Sequence, residues 1–209
     1  QRSWANASAR RPASACEAVG RQHLLPDVPE ASGIAEAGGV LWTHNDSGDR
    51  ALLYAFNLKG EDLGTYFVQG AASQDWEDMS SFSIAGRHFL MIADVGDNKV
   101  QRKVYTVYIA NEPATIAKQP KPQPLTLFAR QDFTYEDGSH NCESATVDPI
   151  RREVILVSKT NEPTCKAYVF PMPLEKNPKK IVAKVIGTLT VPTTCAMDER
   201  RRWADAGDA

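Results

Sequence analysis

Between Asp75 and Asn98 the chain reads DWEDMSSFSIAGRHFLMIADVGDN, with Asp75, Glu77 and Asp78 before an apolar run and Asp94, Asp97 and Asn98 after it. Two further clusters have the same character. THNDSGD supplies His44, Asn45, Asp46 and Asp49, and HNCES followed by SKTNE supplies His140, Asn141, Glu143, Lys159 and Asn161. These are carboxylate and amide oxygens with few sulfur or imidazole partners. Hard oxygen donors suit Ca²⁺, which takes 6–8 of them, or Mg²⁺ with retained waters. Carboxylates forced together without a cation repel and take up protons, and a divalent ion removes that penalty. The metal-ligand candidates are therefore Asn45, Asp46, Glu77, Asp78, Asp94, Asp97, Asn98 and Glu143, with His44 and His140 as candidate general bases. Gly48 and Gly96 would permit the tight loops of such a site. NDSGD and DVGDN match no EF-hand, because the closing bidentate Glu is absent. Asp and Asn also recur in ordinary turns, where they bond their own backbone. Glu is not a turn residue, so Glu77 and Glu143 are the most informative of the set.

The elements that must position these residues read as strands. GVLWTHN, ALLYAFNL, GTYFVQG, RHFLMIADVG, KVYTVYIA, PLTLFARQDFTY, REVILVSKT, KAYVFPM and IVAKVIGTLTV are short, rich in Val, Ile, Tyr, Phe and Thr, and bounded by Gly, Pro, Asn and Asp. No window of a dozen residues carries a clean helical period, and Pro113 interrupts the nearest candidate. KQPKPQPL reads as a surface connector. Three segments repeat one order: a small-residue strand, a turn, an apolar strand, a polar loop, an aromatic strand and a closing strand. Ser32, Glu77 and Glu143 open the first strand of each, at offsets of 45 and 66 residues, the longer offset absorbing the Pro-rich stretch from Pro113 to Pro124.

Four strands per repeat predict an all-β chain, a β-propeller of four-stranded antiparallel blades. The expected blades are residues 23–70, 71–137 and 138–192, with a stub at 193–209 and a flexible leader at 1–22. Three blades and a stub form a partial or truncated ring, since closure takes about 4 to 8 blades. An antiparallel sandwich is the alternative. In a propeller the first strand of each blade lines the channel, so residues distant in sequence would gather at one mouth.

The 209 residues carry a net charge of −2, which gives no bulk attraction to nucleic acid, and no apolar run approaches the length that spans a bilayer. The small, polar, Arg-bearing start looks like a leader after a removed export signal, so a secreted or periplasmic location is expected. Cys16, Cys142, Cys165 and Cys195 include no C-x-x-C pair, which argues against a zinc ribbon. They fit either two disulfides or four buried thiols. Asn6-Ala7-Ser8 and Asn45-Asp46-Ser47 match the glycosylation sequon. Trp76 reads as packing, and His23 and His88 as surface residues.

SGIA, LWTHNDSGD, DWEDM, ADVGDN, CESATVDP and YVFPMPL together resemble a group of exported, largely uncharacterised β-propeller proteins, over about residues 25–190. More distantly, the recurring channel Glu is similar to that of six-bladed calcium-dependent propellers of the phytase, gluconolactonase and paraoxonase types. The resemblance implies calcium held by channel Glu, Asp and Asn residues, here Asn45, Asp46, Glu77, Asp94, Asn98 and Glu143. CESATVDP fits its motif loosely. CAMDERRRWADAGDA departs from the pattern and reads as a truncation or a shifted frame, and no dense set of phosphate-binding Lys and Arg accompanies the motifs. Two functions follow as expectations: a calcium-supported hydrolase of esters, lactones or phosphates, or a non-catalytic propeller binding a small molecule or a protein. Neither a G-x-S-x-G elbow nor an H-E-x-x-H motif is present.

Overall fold

The computed structural model describes residues 27–46, 48–173, 175 and 179–190, and among these it is all-β, with no helix. The chain forms three antiparallel meanders of four strands. The first contains β1 (Ala31–Ala37), β2 (Val40–Asn45), β3 (Leu52–Phe56) and β4 (Asp62–Val68), paired in chain order. The second contains β5 (Trp76–Ile84), β6 (Arg87–Asp94), β7 (Tyr105–Asn111) and β9 (Leu127–Tyr135). The third contains β10 (Cys142–Asp148), β11 (Glu153–Ser158), β12 (Thr164–Pro171) and β13 (Ile181–Thr190). The opening strands β1, β5 and β10 run side by side with β5 in the middle.

Local chemistry fixes the hairpins. Gly38-Gly39 joins β1 to β2 and Ala85-Gly86 joins β5 to β6, and all four residues have positive φ (59°, 84°, 50° and 74°). Two-residue loops with both φ positive match the right-handed twist of the flanking strands. The Pro-rich stretch read as a connector contains a further short strand, β8 (Gln123–Leu125), which pairs parallel with Tyr66–Val68 of β4. The start of β13 does the same to β9, Ile181–Ala183 against Phe133–Tyr135. Each junction between neighbouring meanders is thus stitched at its outer edge by a three-residue parallel pair.

The core lies in two layers, one on each side of the second meander. Leu90 and Ile92, with Trp76 and Tyr108 of the same meander, face the first meander, whose Trp42 and Tyr66 are buried. Phe89, Met91 and Ala93 face the third, among Phe133, Tyr168 and Phe170. A strand covered on both faces reads as an unbroken apolar run, which is why FLMIA shows no alternation. Among the described residues no helix is long and apolar enough to cross a membrane.

Candidate metal centre

The opening strands carry the same irregularity at the same place. Ala31, Trp76 and Cys142 pair with the last residues of the following strands, Asn45, Asp94 and Ser158. The register then slips by one residue before Ile34, Asp78 and Ser144. Such a bulge leaves one residue outside the ladder and re-aims its side chain. The bulged positions hold Ser32 with Gly33, Glu77, and Glu143, the positions that the sequence repeat aligns. A second contact recurs beside them. Asp46 N–H donates to Glu30 O (2.9 Å), Gly96 N–H to Asp75 O (3.1 Å) and Lys159 N–H to Asn141 O (2.9 Å), so the loop after each second strand is tied to the residue that precedes its bulge by two. In the first meander the aligned residue is a hydroxyl, and Ser32 Oγ donates to Glu77 O at 2.7 Å.

This arrangement gathers carboxylates from two meanders. One ligand oxygen each from Asp46, Asp75 and Glu77 all lie within 4.8 Å of one another. Glu77 is buried, and its carboxyl is pushed up to about 8 by burial, then by the charges of Glu143, Asp46 and Asp75. Glu143 Oε1 in turn accepts from Lys159 Nζ at 2.8 Å and Asn141 Nδ2 at 3.4 Å. Burial raises Asp75 as well, helped by Asp46 and opposed by Arg102. Gly96 backs the cluster. A Cβ there would run into Glu77 Oε1 and Asp75 Oδ2, closer than real Cβ atoms come to any neighbour. The sequence suggested a tight turn for this glycine. Its φ lies outside the left-handed region, and the requirement is close approach of backbone to carboxylate. Gly48, at φ 86°, does have the turn conformation expected of it.

The other candidates have different partners. Asp94 is buried and accepts from Gln74 N–H and Asp75 N–H (both 3.2 Å) and from Arg102 Nη1 (2.8 Å). Asp97 accepts from Arg102 N–H (2.7 Å) and Tyr105 OH (2.9 Å). Burial raises its carboxyl, but the backbone N–H groups of Gln101 and Arg102, with Tyr105 OH, outweigh that and hold it below the usual range. Asn98 is exposed and accepts from Asn141 at 3.2 Å. Asp78 holds Met79 N–H and, across to the third meander, Ala145 N–H, both at 2.8 Å. Asn45 is buried in a turn bracket, donating to Asp27 O (3.1 Å) and Asp49 Oδ2 (2.8 Å). That burial conflicts with glycosylation at Asn45; the other sequon and His23 fall outside the described residues. His88 is exposed, as read from the sequence.

The two candidate bases have other partners, although the charges of Asp78 and Asp46 do reach His44. His44 is fully buried against Trp76, with ring centroids 5.5 Å apart, and burial lowers its pKa. Its Nδ1 is 2.9 Å from Asn45 O, and its Nε2 has no hydrogen-bond partner. His140 is bonded to Asp137 at 2.9 Å and packs on Tyr135 and Tyr168. Cys142 and Cys165 are buried free thiols; Cys16 and Cys195 lie outside the described residues. The DWED stretch contains Asp75 without marking it as a ligand, and no motif includes Arg102. Nothing in the spacing of an Arg eight residues after an Asp marks it as that Asp's partner.

No family model matches the chain, and no curated protein matches it.

Proposed function

We propose that the three meanders are propeller blades and that Asp46, Asp75 and Glu77, with Glu143 at the rim, bind a divalent cation at the channel mouth. The observation that carries the reading is the approach of the three carboxylates to within 4.8 Å, with Glu77 buried among them. The side-by-side run of β1, β5 and β10, each the first strand of a four-stranded meander, supports the propeller. The donor chemistry fits the cation. Every group is a hard oxygen, and Gly96 leaves room on the side where any other residue would press on two of them. Calcium is the best match, because it accepts irregular oxygen cages, whereas Mg²⁺ demands a near-ideal octahedron.

A cation held this way would present open coordination positions to ligand oxygens. We therefore read the chain as an exported, calcium-dependent propeller that binds an oxygen-rich small molecule. As a Lewis acid the ion would also polarise an ester, lactone or phosphate. Hydrolysis needs in addition a base beside the ion, a role open to Glu143 at the rim, and binding by the cation alone is the simpler reading.

Calcium titration followed by thermal melting tests this. A ligand at 100 times its dissociation constant stabilises by about 2.7 kcal/mol, so the melting temperature should rise. Glu77→Gln and Asp75→Asn should abolish the rise. An unresponsive parent protein, or variants that respond as the parent does, would refute the site.

A further inference from the structure

The hairpin of β5 and β6 carries Glu77 near one end. Toward the other end, five residues along β5 and roughly 15 Å away, Phe82 pairs with Phe89 and their rings stack with centroids 5.3 Å apart. A cavity of about 120 Å³ lies there, between the second and third meanders. Its walls are Phe82, Phe89, Ile109 and Phe128 of the second meander, with Met172 and Pro173 just after β12 of the third. All of these except Phe128 are buried. Cores normally leave few voids larger than a water molecule. A void of about 150 Å³ lined by Leu, Ile and Phe stays dry and admits benzene, so this cavity has the size of one small ring.

Its edge carries a charge. Arg87 is exposed, lines the cavity, and lies 5.1 Å from the Phe89 ring centre and 5.0 Å from that of Phe128. Among the described residues three arginines lie over aromatic rings. Arg102 is paired with Asp94 and Arg130 with Asp132. Arg87 has no carboxylate among the described residues; its Nη2 donates to the neutral Asn111 Oδ1 at 3.0 Å. A guanidinium has five N–H groups, so most of its donors remain available beside an apolar, ring-sized space.

We infer that this cavity binds a small aromatic carboxylate, with the ring among Phe82, Ile109 and Met172 and the carboxylate on Arg87. A carboxylate matches the guanidinium fork in a bidentate pair, and Arg combines that pairing with stacking on rings. The flexible thioether of Met172 adapts to a ring entering beside it. A neutral hydrocarbon would leave the charge of Arg87 unmatched, and an inorganic anion would leave the apolar space unfilled. The inference rests neither on the cation nor on the propeller reading.

Methionine-methyl NMR of the intact chain, titrated with benzoate in the presence of chelator, tests it. Chelator ensures that a carboxylate held by a bound cation cannot imitate the result. The chain has four methionines, so the spectrum is sparse, and Met172→Leu identifies one signal. The Met172 methyl should shift saturably, while that of Met79, which packs in the other core layer, should stay fixed. Benzyl alcohol has the ring without the charge. It should bind about tenfold more weakly or worse, the factor that hydrogen bonds to a charged group supply. Arg87→Met keeps an apolar stem over both rings and should bind the two compounds alike, its response to benzyl alcohol showing that the cavity is intact. No saturable shift of Met172, equal affinity of the parent for both compounds, or a variant that keeps the preference for benzoate would each overturn the inference. None of these outcomes bears on the calcium titration, so the cation site stands or falls separately.

Discussion

Glu77 and Asp78 are neighbours in the sequence with unlike surroundings. A bulge turns Glu77 into the carboxylate cluster, and the return to regular pairing gives Asp78 two backbone N–H groups, one of them on the third meander. The sequence distinguished Glu77 by its recurrence as Glu143, and the recurrence has a structural counterpart in the shared bulge. It did not distinguish Asp94 and Asp97, whose composition suits calcium as well as Asp46 does. Which carboxylates converge on one another and which are occupied by Arg102 and Tyr105 depends on where side chains point. At this scale Gly96 is the sharpest test. Gly96→Ala adds a methyl group that meets both Glu77 and Asp75. Overpacking of this kind costs about 1–3 kcal/mol. Denaturant unfolding should show that loss, and the calcium-dependent rise in melting temperature should disappear with it.

The loop from Asp94 to Arg102 is anchored in the core by fully buried Val95 and held beyond it by charge. Arg102 Nη1 reaches Asp94 Oδ1 and Gly96 O, both at 2.8 Å, its Nη2 reaches Asp94 O at 3.2 Å, and its guanidinium lies 5.0 Å from the Tyr105 ring centre. The two side chains of the ion pair are 11% and 3% exposed, so neither is well solvated. Removing one partner of a buried pair strands the other, at a cost of about 3–5 kcal/mol. Arg102→Met should lower stability by that order in chemical denaturation. The same loop presents Gly96 to the cluster, so calcium affinity should fall too, whereas the exposed pair Arg130–Asp132 should lose less than about 1 kcal/mol on Arg130→Met.

Across the whole molecule the cluster makes stability depend on pH. The carboxyl of Glu77 is raised from 4.5 to about 8 in the folded protein, so between those values the folded state keeps a proton that the unfolded state has released. Stability contributed by this group is complete below about 4.5, falls as pH rises through the window and is flat above about 8. Buried His44 works oppositely, since its folded pKa is lowered from 6.5 and its contribution grows as pH rises. The clean measurement is therefore the difference between the parent and Glu77→Gln, melted in chelator. The variant should gain on the parent steadily from about pH 4.5 to 8. If the proposed site binds calcium, saturating calcium should erase the difference in slope, because an ion at Glu77 would take the place of the proton. A constant difference across the window would mean that Glu77 does not titrate as described.

Strand content, the three-fold repeat and the register of Ser32, Glu77 and Glu143 were determined by the sequence alone, because alternation, turn residues and recurrence are local properties of a chain. The sequence also supplied the pool of carboxylates. The tertiary structure decided their grouping. Asp46 and Asp75 are 29 residues apart in the chain and meet only because β1 and β5 lie side by side and their loops are fixed by matching backbone hydrogen bonds. It also decided that His44 is buried packing, that the proline-rich stretch contributes a strand, and that Arg102 neutralises Asp94. Each depends on which groups come within a few ångströms through space, where burial and charge act without regard to chain separation.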